Sequence, residues 1–148
     1  MTNQSHVVDS PIAVSISPGQ DRKRKYAVVV PCYNEESRFP YQAFFSFAQR
    51  HPEILLCFVD DGSSDDTLSV LKKLQSQCLY NVCVLSLKHN SGKSEAVRQG
   101  MLFVYNNFDV SHLGFLDADM ATTIEEWLQM ARYKQDFPQY GAIVGSRI

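Results

Sequence analysis

Four short apolar runs, each followed at once by a cluster of polar residues, constrain the fold of this chain more than any other feature. The runs cover residues 26–30, 54–59, 82–85 and 113–116. Each has the length of a buried strand, and the segments between them carry apolar residues at helical spacing. Strands that alternate with helices pair in parallel through right-handed crossovers. The sequence therefore predicts an α/β fold, a doubly wound and mostly parallel sheet with helices on both faces.

Local start signals predict the helices and a last strand. The first helix is predicted over about residues 36–49, a phenylalanine-rich segment with Pro40 near its start, and the second begins at an N-cap, Ser64, followed by Asp65 and Asp66. The third begins at Ser91 or Gly92, and the fourth begins with a capping box of Thr122 and Glu125. A last strand is predicted over residues 141–145. Serine and threonine caps, with acidic residues behind them, satisfy the free N–H groups of a helix start. The predicted order is therefore βαβαβαβαβ.

Length and charge indicate a single domain and exclude some partners. A chain of 148 residues can bury one core, and we interpret residues 1–24 as a flexible tail and residues 25–148 as the domain. The net charge of −2 gives no electrostatic basis for binding nucleic acid. No apolar run is long enough to cross a membrane and no secretory signal opens the chain, so we expect a cytoplasmic protein.

Two groups of residues have more than one interpretation. The basic residues 22–25 are either a solvated entry into the first strand or a contact with phosphates or an anionic membrane face. The cysteines show no metal-ligand spacing, so we expect reduced thiols in the core, with a disulfide or a catalytic thiol as the alternative. These cysteines are Cys32, Cys57, Cys78 and Cys83.

The polar clusters are where we expect the functional site, because the carboxyl ends of parallel strands line one edge of a sheet. Asp117 and Asp119 follow the fourth run and project to the same side of an extended backbone. Two carboxylates with room for water and phosphate suit Mg²⁺ or Mn²⁺ better than Zn²⁺. The pair predicts a divalent metal that neutralises a diphosphate, although a solvated acidic turn would show the same pattern.

Other nucleotide-binding folds fit the sequence poorly. A Rossmann site requires a glycine-rich turn after the first strand, and residues 31–35 contain no glycine. Gly92-Lys93-Ser94 is similar to the end of a P-loop, but Leu87 stands where that loop needs its first glycine. A phosphorelay receiver would lack the Asp pair on the fourth strand.

Five motifs, in order along the chain, resemble the inverting glycosyltransferases of family 2, which have the GT-A fold. They are Val30-Pro31-Cys32-Tyr33-Asn34-Glu35, Val59-Asp60-Asp61-Gly62-Ser63-Ser64-Asp65, Asn90 with Gly92-Lys93, Ala96-Val97-Arg98-Gln99-Gly100, and Asp117-Ala118-Asp119. The third and fourth motifs, with Gly145-Ser146-Arg147, are most similar to enzymes that load dolichyl or other polyprenyl phosphates with glucose or mannose. The resemblance covers about residues 26–147 and implies the front part of a longer protein.

The resemblance implies a role for each matched residue. Pro31, Tyr33 and Glu35 would line the pocket for the nucleotide base, and Asp60 or Asp61 would hold the base or ribose. Lys93 and Arg98 would face the diphosphate. Asp117 would reach the ribose or sugar, and Asp117 and Asp119 would be the catalytic, metal-binding pair. Structural alternatives remain for three of them. Asp61 could be a turn residue, Asp60 a helix cap and Arg98 a charge on a helix surface.

The implied reaction transfers a hexose from a nucleoside-diphosphate sugar, of the UDP-glucose or GDP-mannose type, with inversion and a divalent metal. The resemblance identifies the acceptor as polyprenyl or dolichyl phosphate, which implies peripheral contact with the cytoplasmic face of a membrane. Two alternatives remain. One is a nucleotide-sugar-binding module without activity, and the other is a nucleotidyltransferase, which would normally carry a glycine-rich basic loop after the first strand.

Overall fold

The computed structural model describes residues 12–13 and 23–145. Within them the elements are β1 (Ile12–Ala13), β2 (Arg24–Cys32), α1 (Tyr41–Arg50), β3 (Ile54–Asp60), α2 (Thr67–Gln77), β4 (Val82–Ser86), α3 (Lys93–Asn107), β5 (Val110–Phe115) and α4 (Ile124–Asp136). The sheet order is β1-β4-β3-β2-β5. Strands β2 to β5 pair in parallel, while β1 pairs antiparallel with β4. The predicted α/β fold with a mostly parallel sheet is confirmed.

Helices cover both faces of the sheet. On one face, apolar residues of β2, β3 and β4 pack against α1, α2 and α4, and on the other face they pack against α3. Val28 and Val30 belong to the first core, and Ala27 and Val29 belong to the second, as the two-residue period of a strand requires. Strand β3 is buried at every position. This is why its sequence is a continuous apolar run rather than an alternating one.

Helix α3 lies unusually close to the sheet, and Gly100 makes this approach possible. A Cβ atom at Gly100 would lie 2.5 Å from Val29 Cγ1 and 2.7 Å from Val59 Cγ2. A larger residue would therefore push α3 off β2 and β3. Because α3 follows the end of β4, its amino end lies at the carboxyl edge of the sheet, where β2 and β3 also end.

Two helices begin later than the sequence predicts. Helix α1 begins after Pro40 rather than near residue 36, and α2 begins after Asp66 rather than behind an N-cap at Ser64. Residues 33–36 and 63–66 instead hydrogen-bond to one another. Because these bonds satisfy their backbone groups, neither segment needs to form a helical turn.

The other two helix starts agree with the sequence to within one residue. Helix α3 begins after Gly92, one of its two predicted starts. The capping box of α4 consists of Thr123 and Glu126, one residue beyond the predicted pair. Thr123 Oγ1 accepts from the Glu126 backbone N–H at 3.2 Å, and the Glu126 carboxylate accepts from the Thr123 N–H at 2.7 Å.

The predicted last strand over residues 141–145 is wrong. The structure shows no strand in this segment, and Val144 is 87% exposed. Ala142 and Ile143 line a cavity of about 280 Å³ between the segment, β5 and α4, so the segment lies near β5 without joining its ladder. The outer edge of β5 has no strand partner among the described residues, so the apolar run indicates affinity for a core and does not by itself place the backbone in a ladder.

Most of the predicted tail, residues 1–24, lies outside the described residues. Within the described part, β1 pairs with Leu85 and Ser86 of β4, and β2 begins at Arg24, two residues before the predicted strand. Arg24 is buried and donates to the carbonyl oxygens of Pro52, at 3.2 Å, and Tyr80. The interpretation of Arg24 as a solvated charge is therefore wrong, because its guanidinium joins two loops at the amino end of the sheet.

Cysteine placement agrees with the prediction of core thiols. All four are free and buried. Burial raises the pKa of the Cys32 thiol well above its ordinary value, and the nearby carboxylates of Glu35 and Asp60 raise it further. Such a thiol stays protonated and unreactive. Over residues 12–13 and 23–145, the structure has no helix with both the length and the apolar character of a membrane span.

Candidate functional site

A cleft of about 430 Å³ opens at the carboxyl edge of the sheet. Its lining residues are Pro31, Cys32, Tyr33, Glu35, Arg38, Asp61, Asn90, Gly92, Lys93, Asp117, Ala118 and Asp119. The fold thus brings seven of the nine predicted site residues together from loops that are far apart in sequence. The two that do not line the cleft are Asp60 and Arg98.

Residues 33–36 and residues 63–67 form one rigid wall because they exchange hydrogen bonds. The Asn34 N–H donates to Ser63 Oγ at 3.0 Å, and Asn34 Oδ1 accepts from the Ser64 N–H at 2.9 Å. The Glu35 N–H donates to Thr67 Oγ1 at 2.8 Å. Asn34 has a φ of 49°, a left-handed conformation that asparagine tolerates better than most residues. Asn34 thereby orients its neighbours Tyr33 and Glu35, a role that the sequence analysis missed.

Asp61 holds the opposite loop, residues 90–92, against the end of β3. Its two carboxylate oxygens accept from the backbone N–H groups of Ser91, at 2.8 Å, and Gly92, at 2.9 Å. Gly62 makes this contact possible, since it has a φ of +65° and a Cβ there would lie 2.5 Å from Asn90 N. Asn90 Nδ2 also donates to Oδ2, at 3.3 Å. Asp61 still lines the cleft, and its Oδ1 keeps one lone pair to offer a ligand.

Asp60 lies behind the cleft rather than in it. The residue is only 3% exposed, and within the described part of the chain its Oδ1 has no hydrogen-bond partner. Burial raises the pKa of the Asp60 carboxyl, while hydrogen bonds from Ser63 oppose that rise. Asp61 is buried to the same degree, at 2% exposed, but it lines the cleft whereas Asp60 does not. Of the two carboxylates predicted to hold the base or the ribose, Asp61 is therefore the one in contact with the cleft.

Glu35 is occupied by an arginine that the sequence analysis did not select. Its carboxylate accepts two hydrogen bonds from Arg38, from Nε at 2.6 Å and from Nη2 at 3.0 Å. These bonds, and to a smaller extent the charges of Glu35 and Asp119, raise the pKa of the Arg38 guanidinium. The sequence signal was present, since Arg38 stands three residues after Glu35. The pair shows that Glu35 is already bonded before any base arrives.

Lys93 lies where α3 begins and forms an ion pair with Asp117. Its Nζ is 2.5 Å from Asp117 Oδ1 and 5.9 Å from the centre of the Phe115 ring. Gly92, at the N-cap with a φ of 90°, supplies no side chain to bond the first N–H groups of the helix. These N–H groups and the lysine form a positive corner of the cleft, which suits a phosphate.

Asp117 and Asp119 provide oxygen atoms but no complete metal site. Asp119 Oδ1 accepts from the Ala121 N–H at 2.9 Å, which sets the orientation of its carboxylate. Among the described residues, no group of three or more His, Cys, Asp or Glu side chains is arranged to hold a metal. Mg²⁺ and Mn²⁺ accept such a site, because they commonly take one or two carboxylates and complete their shell with water and phosphate. The pair therefore fits a metal that arrives together with a diphosphate.

Arg98 does not reach the cleft. It follows Lys93 by five residues, which turns it by roughly 140° around the helix axis. It binds Glu95 instead, with Nε at 2.8 Å and Nη2 at 2.6 Å from the carboxylate oxygens. Hydrogen bonds from Arg98 and Gln99 lower the pKa of Glu95 to about 2. The alternative of a charge on the helix surface describes Arg98 correctly.

The basic residues before the first strand are also remote from the cleft. Lys23 and Lys25 are exposed at the amino end of β2, whereas the cleft lies at its carboxyl end. A strand of this length separates them by roughly 25 Å. These lysines therefore cannot contact a phosphate bound in the cleft, and contact with a membrane face stays a prediction.

The charge of the cleft depends on what enters it. Among its lining residues, the four carboxylates of Glu35, Asp61, Asp117 and Asp119 stand against the two cations Arg38 and Lys93, a formal charge of −2. A nucleoside diphosphate would be repelled by this excess unless a cation accompanied it. The arrangement therefore suits a diphosphate that binds with a divalent metal.

Comparison with known proteins gives one family for most of the chain. The family model "Glycosyl transferase family 2" matches residues 27–148. A dolichyl-phosphate beta-glucosyltransferase of Drosophila melanogaster is 36% identical over 137 residues, covering 82% of this chain and 40% of the relative. An undecaprenyl-phosphate 4-deoxy-4-formamido-L-arabinose transferase of Photorhabdus laumondii is 30% identical over 127 residues, covering 84% of this chain and 37% of the relative. The chain thus spans about two-fifths of the length of these relatives.

Solved structures share the fold. The mannosyltransferase PcManGT from Pyrobaculum calidifontis, in complex with GDP-Man and Mn²⁺, matches with a TM-score of 0.51 and 19% identity, covering 71% of this chain and 30% of that one. TarS of S. aureus, in complex with UDP, matches with a TM-score of 0.51 and 24% identity, covering 75% and 33%. At such identities the likeness establishes the architecture of a GT-A glycosyltransferase and leaves ligands to be argued from the cleft.

Proposed function

Because this chain belongs to glycosyltransferase family 2, we propose that its cleft is the donor site of an enzyme that transfers a hexose from a nucleoside-diphosphate sugar to a polyprenyl phosphate. One observation carries the proposal. Lys93, the open amino end of α3 and the Asp117–Asp119 pair meet in a single cleft. A positive corner for the diphosphate beside two metal-binding oxygens is what the departure of a nucleoside diphosphate requires.

The base would bind at the wall formed by residues 31–35. Tyr33 is 45% exposed and lines the cleft beside Pro31, so a base can stack on its ring. Asp61 Oδ1, with its one remaining lone pair, would accept an N–H or O–H donor from the base or ribose. Glu35 contributes less to this recognition than the sequence predicts, because Arg38 already takes two of its lone pairs.

The diphosphate would bind at the amino end of α3. Its oxygens would accept from the free N–H groups of the first helical turn and from the Lys93 ammonium. Asp117 and Asp119 would hold Mg²⁺ or Mn²⁺, which would supply Lewis-acid stabilisation of the departing diphosphate. Lys93 would leave Asp117 for the phosphate as the ligand enters, and Asp117 would then be free for the metal or the sugar.

The acceptor chemistry suits this cleft. As the nucleoside diphosphate departs, positive charge develops at the anomeric carbon of the sugar, and the acceptor oxygen attacks from the opposite side with inversion. A phosphate is already ionised at neutral pH, so it does not need a general base to remove a proton. The two curated relatives carry dolichyl-phosphate and undecaprenyl-phosphate in their names, which supports a lipid phosphate as acceptor.

Calorimetric titration of this chain with UDP, GDP and UTP, each with Mn²⁺, with Mg²⁺ and with excess EDTA, tests the proposal. We expect a diphosphate to bind with metal and to bind far more weakly in EDTA. Asp119→Asn should remove the effect of the metal. Asp109→Asn is the matched control, since Asp109 is an exposed aspartate just before β5, at the amino end of the sheet. Equal diphosphate affinity in EDTA would contradict the metal-assisted site, and preference for UTP would favour a nucleotidyltransferase.

A further inference from the structure

Arg38 is a cationic residue of the cleft that the donor site leaves unused. Its side chain is 66% exposed, yet Glu35 holds it in one orientation through two hydrogen bonds. A guanidinium has five N–H groups, so three remain to bind a ligand. An exposed arginine loses entropy when it is fixed, and here the fixed fork lines a cleft. Such a planar and oriented fork matches the oxygens of a phosphate.

Arg38 and Lys93 approach the cleft from opposite sides of the sheet. Arg38 lies on the segment between β2 and α1, and α1 packs on the first face. Lys93 begins α3, which packs on the other face. The Asp119 carboxylate lines the cleft with both, and its charge acts on Arg38. Each cation therefore lies near a different member of the carboxylate pair, Lys93 beside Asp117 and Arg38 within reach of the charge of Asp119.

Direct displacement at a sugar carbon requires this separation of charges. The attacking oxygen and the leaving oxygen lie on opposite sides of the reacting carbon. When the nucleophile is itself a phosphate, two anions must be held apart, each with its own cation, because they repel each other in a confined site. Lys93 and the amino end of α3 serve the departing diphosphate. Arg38 enters the cleft from the segment before α1, whose helix packs on the opposite face of the sheet from α3, and so it is the cation left for an attacking phosphate.

We propose that Arg38, oriented by Glu35, binds the phosphate of the acceptor, so that the cleft contains a phosphomonoester subsite distinct from the donor's diphosphate subsite. The inference rests on the proposed function and adds to it. It assigns Glu35 to the positioning of Arg38 rather than to the base. It also explains why the enzyme would favour a phosphate acceptor over an alcohol, since an alcohol would leave the Arg38 charge unmatched.

The test measures two ligands on the whole chain. The first titration uses UDP or GDP with Mn²⁺. The second uses geranyl phosphate, a short water-soluble polyprenyl phosphate, added to the protein with and without saturating nucleotide and Mn²⁺, and a parallel arm uses inorganic phosphate. The matched control is Arg50→Gln, because Arg50 is an exposed arginine at the end of α1 that pairs with Glu125 at 2.8 Å outside the cleft.

We expect Arg38→Gln to weaken geranyl phosphate binding by roughly tenfold or more, the loss typical of a charge-assisted hydrogen bond, while nucleotide affinity changes by less than about twofold. Arg50→Gln should change neither. Glu35→Gln should weaken geranyl phosphate binding too, and the double variant should be no weaker than Arg38→Gln alone, because both changes remove the same fork. Similar affinity for inorganic phosphate would show that the subsite recognises phosphate without the lipid chain.

Three results would overturn the inference. They are unchanged geranyl phosphate affinity in Arg38→Gln, a parallel loss of nucleotide affinity that would place Arg38 in the donor site, and no detectable binding of either phosphate by the unchanged protein. Failure of the proposed function gives a different result. The unchanged protein would then bind no nucleotide with metal, while Arg38-dependent binding of geranyl phosphate in the absence of nucleotide would persist.

Discussion

Replacing Lys93 with methionine should change the affinities for metal and for nucleotide in opposite directions. In the structure Lys93 forms an ion pair with Asp117, with 2.5 Å between Nζ and Oδ1, and both side chains are about half exposed. A metal that takes Asp117 must displace the ammonium, whereas a diphosphate gains from it. Methionine keeps an unbranched apolar stem beside the Phe115 ring, so the main change is the loss of charge.

The expected sizes follow from the exposure of the pair. An ion pair between exposed side chains contributes about 0.2–1 kcal/mol, so Mn²⁺ alone should bind about 1.4- to 5-fold more tightly to Lys93→Met. Loss of the lysine also makes the cleft more negative, which acts in the same direction. A hydrogen bond to a charged group contributes about 1.5–3 kcal/mol, so UDP or GDP with Mn²⁺ should bind about 10- to 150-fold more weakly.

Isothermal titration of Mn²⁺, followed by titration of nucleotide into the Mn²⁺-loaded protein, measures both effects. Lys72→Met is the matched control, because Lys72 is an exposed lysine on α2 that does not line the cleft. Parallel weakening of both ligands would indicate damage to the cleft rather than the loss of one charge. Unchanged nucleotide affinity would refute the assignment of Lys93 to the diphosphate.

Two further predictions concern Asp60 and Asp61, the neighbouring carboxylates at the carboxyl end of β3. Asp61→Ala should lower the free energy of unfolding in urea by about 1–3 kcal/mol, since Ser91 and Gly92 lose their acceptors, and should also weaken nucleotide binding. Unchanged stability would show that Asp61 does not hold this loop. Burial raises the pKa of Asp60 above its ordinary value of 3.8, so its contribution to stability is present at lower pH and is lost as the pH rises through the folded-state pKa. The stability of Asp60→Asn relative to the unchanged protein should therefore increase from about pH 4 to pH 7, and a constant difference would contradict this sign.

Secondary structure was predictable where the signal is local. The central strands were predicted to within a few residues, because continuous apolar runs between helical segments leave few alternatives to a parallel sheet. The final segment, residues 141–145, has the same apolar character but forms no strand. The outer edge of β5 is free among the described residues, yet residues 141–145 do not pair with it, and no local pattern encodes that outcome.

The candidate site was predicted residue by residue with uneven success. Seven predicted residues line the cleft, but Asp60 lies behind it and Arg98 turns away toward Glu95. Arg38 was missed, although it lines the cleft and bonds Glu35. The sequence shows which residues follow a strand. It does not show which of two adjacent carboxylates faces the ligand, since that depends on the pleat and on the loop packed above it.

By itself, the sequence determined the α/β architecture and the edge at which the site lies, because both follow from the order of apolar runs and from the polar residues that end them. Tertiary structure alone decided which charges are available to a ligand. Asp61 meets the N–H groups of Ser91 and Gly92 about thirty positions away, and Lys93 meets Asp117, only because strand order brings their loops together. Hydrogen-bond and ion-pair partners are chosen by distance in space, and the arrangement of the sheet sets that distance.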